Sequence, residues 1–261
     1  MSREYRDMLF DLDEGDVDVS QLVRDESFWT EVVNILRVSV PIIKLLRACD
    51  SQAKEVIGKV YHMMFQTGES LRELEGSVLW VQEATAFHEE RWEYLHSRMH
   101  AAGYALDPEY LYNGDGGNLD DATMTGLIEV IERLSLRAMI QAAHDPHDAA
   151  KRLKLSSPSV QKHAAECIKQ FAGFRKREAN FTKPLVVECA SKMAPSQWWA
   201  TFGSRCPELQ AVACSVLVQP VSASACERNW SVYGQLKSPA RNRMQHSVAD
   251  KKVHCHECDI I

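Results

Sequence analysis

Apolar positions in this chain recur at the spacing of helices rather than strands. Val56, Ile57, Val60, Tyr61, Met64 and Phe65 fall on one helical face and predict an amphipathic helix beginning near Ala53. Leu127, Ile128, Ile131 and Leu134 predict another. Leu209, Val212, Ala213, Val216 and Leu217 predict a further one, opened by Pro207-Glu208 and closed by Pro220. The run from Phe28 to Ala48 is denser, with Val32, Val33, Ile35, Leu36, Val40, Ile42, Ile43, Leu45 and Leu46. That density predicts a helix buried on most of its circumference, with a kink or break near Pro41. Period-2 alternation is convincing nowhere. Leu185-Val186-Val187 comes nearest and is short. The expected fold is mainly α.

The interruptions suggest how the chain is divided. The stretch from Tyr112 to Asn118 carries three glycines and reads as a turn-rich loop, with a spacing unlike that of phosphate-binding loops. Asp145-Pro146-His147-Asp148 and Ser156-Ser157-Pro158-Ser159 bracket a soft boundary near residue 150. Residues 1–27 form an acidic lead expected to be mobile. Within it, Asp11, Asp13, Asp16 and Asp18 loosely follow calcium-loop spacing, but Gly15 comes one position early and no bidentate glutamate follows at the required place. The lead reads as a charge run. The remaining divisions are 28–150 and 151–261, and no internal repeat is visible.

Composition narrows the class. With 261 residues and 45% hydrophobic content the chain can bury a substantial core. It contains no apolar run approaching the roughly 18 to 20 residues that span a bilayer. Met1 is followed by polar residues rather than a signal-type apolar stretch. A soluble, intracellular protein without membrane partners is expected, its eight cysteines free rather than paired. The net charge of −6 conceals an asymmetry: residues 1–150 hold 13 Lys+Arg against 28 Asp+Glu, and residues 151–261 hold 17 against 8. A basic half can approach a phosphate backbone by releasing counterions. The blander expectation, that it faces the acidic half of this chain or of a second copy, is preferred. The basic residues are scattered apart from Arg175-Lys176-Arg177, a weak nuclear-import pattern.

Chemistry concentrates near the C-terminus, where the chain reads Ser224-Ala225-Cys226-Glu227-Arg228-Asn229-Trp230-Ser231. Ser224 and Glu227 have capping-box spacing, which would place the Glu227 carboxylate in a helix's first turn. Trp230, Tyr233 and Leu236 supply an apolar face, Lys237-Ser238-Pro239 ends the helix, and Arg241 and Arg243 form a basic fork beyond. Cys255 and Cys258 with neighbouring histidines make half a zinc site that would need Cys226 or His246 to complete it, and a terminus without metal is preferred. Trp80 and Trp92 sit at helical spacing and read as core rather than as stacking platforms for bases. No Ser/His/Asp or Cys/His arrangement has a convincing catalytic spacing.

Several of these blocks, in order, resemble hAT-superfamily DNA transposases of the plant type. Trp198-Trp199-x-x-x-Gly203, Pro207-x-Leu209-Gln210 and Cys226-Glu227-Arg228-Asn229-Trp230-Ser231 with the Arg241/Arg243 pair are similar to the family's C-terminal dimerisation segment. His100-Ala101-Ala102-Gly103-Tyr104-Ala105-Leu106-Asp107-Pro108 resembles its Leu-His-Ala-Ala-Gly-Tyr-x-Leu-Asn-Pro stretch, led here by Met99. Phe28-Trp29 and Pro41 to Asp50 are similar to the segment before that. The resemblance covers roughly residues 28–245. It implies a helical insertion-type region over 28–150 and a dimerisation domain over 151–261, the latter including the last helices of an incomplete RNase H-like core.

The same resemblance places Glu227 at the family's third catalytic carboxylate. Strand transfer by such enzymes uses a pair of metal ions held by several carboxylates, and the family's two aspartates lie on a sheet upstream of the Phe-Trp segment, for which 27 residues are too few. The expectation is therefore a dimerisation module in the nucleus without autonomous catalysis, Glu227 being vestigial and no cofactor required. Its partner would be a second copy or a related hAT transposase. Trp198, Trp199, Leu209, Val212, Val216, Trp230, Tyr233 and Leu236 would form the apolar part of the self-association surface, with Arg228, Arg241 and Arg243 around it. Two alternatives accompany this reading. One is a Mg2+-dependent transposase or nuclease fragment that completes Glu227 with a partner's aspartates. The other is a nonspecific, weak DNA-binding module using the basic half.

Overall fold

Many of the helices in this protein begin where a proline or a short acid leaves few first-turn amides unsatisfied. The computed structural model describes residues 19–50, 55–112 and 119–223, together with Glu227, Trp230, Tyr233, Gly234, Val248 and Lys251. Among the described residues the order is α1 (Val19–Arg24), α2 (Glu26–Asp50), α3 (Ile57–Arg72), α4 (Val81–Leu95), α5 (Arg98–Leu106) and α6 (Pro108–Tyr112). There follow α7 (Asp121–Ala142), α8 (Pro146–Arg152), α9 (Pro158–Arg175), a 3-10 turn (Ala179–Thr182), α10 (Pro184–Cys189), α11 (Pro195–Phe202) and α12 (Pro207–Leu217). Proline stands at the start of α8, α9, α10, α11 and α12. Asp120 accepts the Thr123 amide at the start of α7 (2.8 Å), and Asp145 accepts that of Asp148 at α8 (3.1 Å). No strand occurs among the described residues, and Leu185-Val186-Val187 lies within α10. The protein is mainly helical.

The Ala101-Ala102-Gly103 stretch lets α5 lie tight between α3 and α7. A Cβ on Gly103 would stand 2.7 Å from Ile57 Cγ2, and one on Gly58 would stand 2.7 Å from the Gly103 carbonyl oxygen. On the other side, a Cβ on Gly126 would come 2.8 Å from that of Ala101. Small residues are the physical content of this stretch, because anything larger forces whole helices apart. The next residue, Tyr104, stacks on Tyr61 at 5.2 Å and on His62 at 5.8 Å.

One apolar core runs from Ile57 through α5, α7 and α9 to α12. It includes Leu106, Leu127, Ile131, Phe171, Phe174, Trp198, Trp199, Leu209 and Val216. The core crosses the boundary expected near residue 150: α9 packs on α7, and α12 packs on both α9 and α5. Ion pairs lie at the periphery, as in Lys59–Glu109 (2.9 Å) and Arg98–Glu129.

α2 departs from its expectation. It is a single helix that continues through Pro41, and only Val38 and Leu45 on it are buried. Trp29, Val33, Ile35, Leu36, Val40, Ile43 and Leu46 are each at least 40% exposed. The dense apolar run therefore faces mostly outward. α3 and the turn before α4 cover one side, through Leu71, Leu74, Val60 and Met64. Between α2 and α3 a groove of about 590 Å³ opens beside Val40, Lys44, His62 and Phe65.

The crossing of α3 and α5 gives a direct test. Gly58→Ala improves helix propensity by up to about 1 kcal/mol, but its methyl meets a backbone carbonyl that cannot rotate away. A net loss of about 1–3 kcal/mol in denaturant unfolding is expected. An unchanged or raised midpoint would contradict the tight crossing.

Candidate self-association site

The paired tryptophans organise the C-terminal helices. Both are fully buried, and each indole N–H has a backbone partner. Trp198 Nε1 donates to the Val186 carbonyl (2.9 Å) and Trp199 Nε1 to that of Leu106 (2.7 Å). The Trp198 ring stacks on Phe181 at 5.7 Å, and the Trp199 ring lies 4.7 Å from that of Phe174. Gly203 follows because the chain turns back against Trp199: a Cβ there would come 2.6 Å from the Trp199 carbonyl oxygen and 2.9 Å from its ring. Gln210 then donates to that same carbonyl (2.7 Å). Gln170 on α9 accepts the Leu209 amide (3.0 Å) and contacts the Glu208 carboxylate. The spaced Trp-Trp, Gly and Pro-x-Leu-Gln blocks are thus one packing device.

Trp198, Trp199, Leu209, Val212 and Val216 all lie inside this device, in the interior of a single chain. They were expected to form the apolar part of the self-association surface. That expectation supposed that these helices lack a surface to pack on, whereas α5, α9 and the 3-10 turn supply one. A side chain without solvent exposure offers nothing to a second copy.

Beyond α12 the arrangement changes. Val221 packs beside Leu45, Val60 and Met64, and Ser222 Oγ donates to the Cys49 carbonyl (2.8 Å), which holds the chain at the end of α2. The Glu227 amide donates to the Ala223 carbonyl (2.9 Å). Glu227, Trp230, Tyr233 and Gly234 are helical, with the Glu227 side chain exposed. Trp230 is 72% exposed and meets Tyr233 edge-on at 5.8 Å. Arg228, Leu236, Arg241 and Arg243 lie outside the described residues, as do Ser224, Cys226 and the Cys255/Cys258 tail.

Residues 177–256 match the hAT family C-terminal dimerisation region. By that match the segment is similar to the dimerisation module of hAT-family transposases. Neither a curated protein nor a solved structure matches the chain. The match contains both the buried tryptophan device and the exposed Trp230.

Other chemistry-bearing groups are disarmed by their surroundings. His163 Nδ1 lies 2.9 Å from Ser135 Oγ and 3.7 Å from Cys167 Sγ, a constellation that spacing alone did not suggest because α7 contributes the serine. Burial pushes the Cys167 thiol up to about 11, so it remains protonated and weakly nucleophilic. Trp92 packs on Tyr61 at 5.1 Å, whereas Trp80, at the start of α4, is exposed and not in the core where its spacing placed it. Among the described residues, no group of three or more His, Cys, Asp or Glu is placed to hold a metal ion. No helix among them is long and apolar enough to cross a membrane.

Asp107 is the most perturbed carboxyl among the described residues. It stands where the resembling family stretch has asparagine, and it caps α6 by accepting the Glu109 amide (3.0 Å). Its Oδ2 has no hydrogen-bond partner among the described residues. Burial raises its carboxyl to about 7, against the pull of the Glu109 amide and of Lys59.

Two outcomes follow from this geometry. Trp199→Ala should cost about 3–5 kcal/mol and unfold the chain, rather than release a folded monomer; circular dichroism with light scattering separates the two, and a folded monomer would contradict the burial. Asp107 keeps its proton in the folded state to about pH 7 but loses it near about pH 3.9 when unfolded. Stability complete below the unfolded value is therefore lost as pH rises through the folded one, at about 1.4 kcal/mol per unit. Asp107→Asn, neutral throughout, should lose less stability than the parent between about pH 4 and 7. Parallel urea-unfolding profiles for the two proteins would refute the assignment.

Proposed function

We propose that this chain is a nuclear self-association module, derived from a hAT transposase, that joins a second copy of itself or a related transposase and has no strand-cleaving chemistry of its own. The observation that carries the reading is the exposed Trp230, set against Tyr233 within the matched dimerisation region. A large aromatic held mostly in water by a helix is the usual anchor of an interface, since burying it removes much apolar area at little entropic cost. In the same stretch of sequence Leu236 would add apolar area, and Arg228, Arg241 and Arg243 would form the rim expected of such a patch. The C-terminal helices would then descend from an RNase H-like core whose metal chemistry is lost.

Glu227 supports the non-catalytic half of the reading. Its side chain faces solvent, and a single exposed carboxylate cannot clamp the two metal ions that in-line strand transfer requires. The excess of Lys and Arg over residues 151–261 would add weak, salt-sensitive attraction to DNA without sequence readout.

Trp230→Glu should raise the dimer dissociation constant at least about tenfold in sedimentation equilibrium, with folding stability changed by less than about 0.5 kcal/mol. An unchanged association state would overturn the placement of the interface. In the presence of Mg2+, the parent chain and Glu227→Gln should be equally inactive in supercoiled-DNA nicking. Nicking that depends on Glu227 would replace this reading with that of a nuclease completed by a partner.

A further inference from the structure

The exposed face of α2 has a regularity its density conceals. Trp29, Val33, Leu36, Val40, Ile43 and Arg47 are spaced 4, 3, 4, 3, 4, the 3.5-residue repeat of a coiled-coil seam. All but the arginine are apolar, and each of those five is between 40% and 53% exposed. Val38 and Leu45, the buried residues of α2, lie on the opposite side of the helix. The seam therefore points away from the chain's own core. Its five apolar residues present on the order of 450 Å² of surface, within the range of the largest patches that monomers leave bare and about half of the roughly 800 Å² per partner of a standard interface.

We propose that this seam pairs with the α2 seam of a second copy, the two helices running antiparallel. A 3.5-residue repeat selects another helix as partner, since only a helix presents matching holes. The seam's charge selects the direction. Its spacing is the same read from either end, so an antiparallel copy sets Ile43 against Val33, Val40 against Leu36, and Arg47 against Trp29. Each Arg47 guanidinium then lies over an indole face, an attractive cation–π arrangement. A parallel copy would instead bring Arg47 against Arg47. The Trp29 ring is already fixed for this, its Nε1 donating to the Val23 carbonyl (2.8 Å). The paired seam would be about 27 Å long at the helical rise, and its two-fold symmetry closes the assembly rather than extending it.

The proposal rests on the self-association reading only in requiring a second copy. The matched dimerisation region passes next to this surface: Ser222 bonds to Cys49 at the end of α2, two residues beyond Arg47. The matched region therefore reaches the end of the helix that carries the seam.

The test compares the full chain with Leu36→Glu/Val40→Glu and with Trp230→Glu by sedimentation velocity at equal micromolar loading. The α2 pair should lower the average mass, with a dissociation constant raised at least about tenfold. If only Trp230→Glu lowers the mass, the α2 seam is overturned while the C-terminal interface stands. If only the α2 pair does, the seam stands and the C-terminal placement falls. A cross-link sets the direction and decides alone should the doubly charged variant misfold. Copies carrying Val33→Cys mixed with copies carrying Ile43→Cys should form an intermolecular disulfide absent from either variant alone and from the parent. A disulfide within Val33→Cys alone, or none in the mixture, would overturn the antiparallel pairing.

Discussion

Two indole N–H groups with no access to water set the terms for the rest of the structure. A buried donor left without an acceptor costs more than most single contacts return, so Trp198 and Trp199 must be met by carbonyls. Those they find belong to Val186 and Leu106. The second bond is the decisive one, because it joins the matched dimerisation region to a helix some ninety residues earlier in the chain. From it follow the seating of α11 against α5, the turn at Gly203 and the capping of Trp199 by Gln210. The region that matches a dimerisation family is therefore partly the interior of a monomer and only partly a surface.

That division explains what could be read from the sequence. Helices over Ile57–Arg72, Asp121–Ala142 and Pro207–Leu217 were legible because their apolar residues keep one face, and an acid or a proline marks the starts of the last two. The Trp-Trp, Gly and Pro-x-Leu-Gln blocks were recognisable as a unit, although sequence could not say that the unit faces inward. Periodicity reports that a face is apolar and is silent about what covers it. The same gap produced the misreading of α2, whose apolar run predicts burial equally well by its own chain or by a partner. The Ser135–His163–Cys167 contact was illegible because its members come from different helices. The strain at Asp107 was illegible because a capping acid looks alike in water and in a core.

The proposed self-association rests on apolar surface rather than on reactive groups. Cys167, with His163 beside it, is held as a thiol by burial, and the perturbed acid Asp107 is buried. Among the exposed apolar side chains are Trp230 and the α2 seam. Both are presented by helices whose own stability comes from elsewhere, which allows a surface to stay apolar without unfolding the chain.

Amide hydrogen exchange measured above and below the association concentration tests the central claim most directly. The account predicts that amides of 184–217 remain equally protected in both conditions, because the tryptophan device belongs to one chain. Protection around Trp230 should rise only when copies associate. Loss of protection across 184–217 on dilution would contradict it, showing that those helices need a second chain to be buried at all.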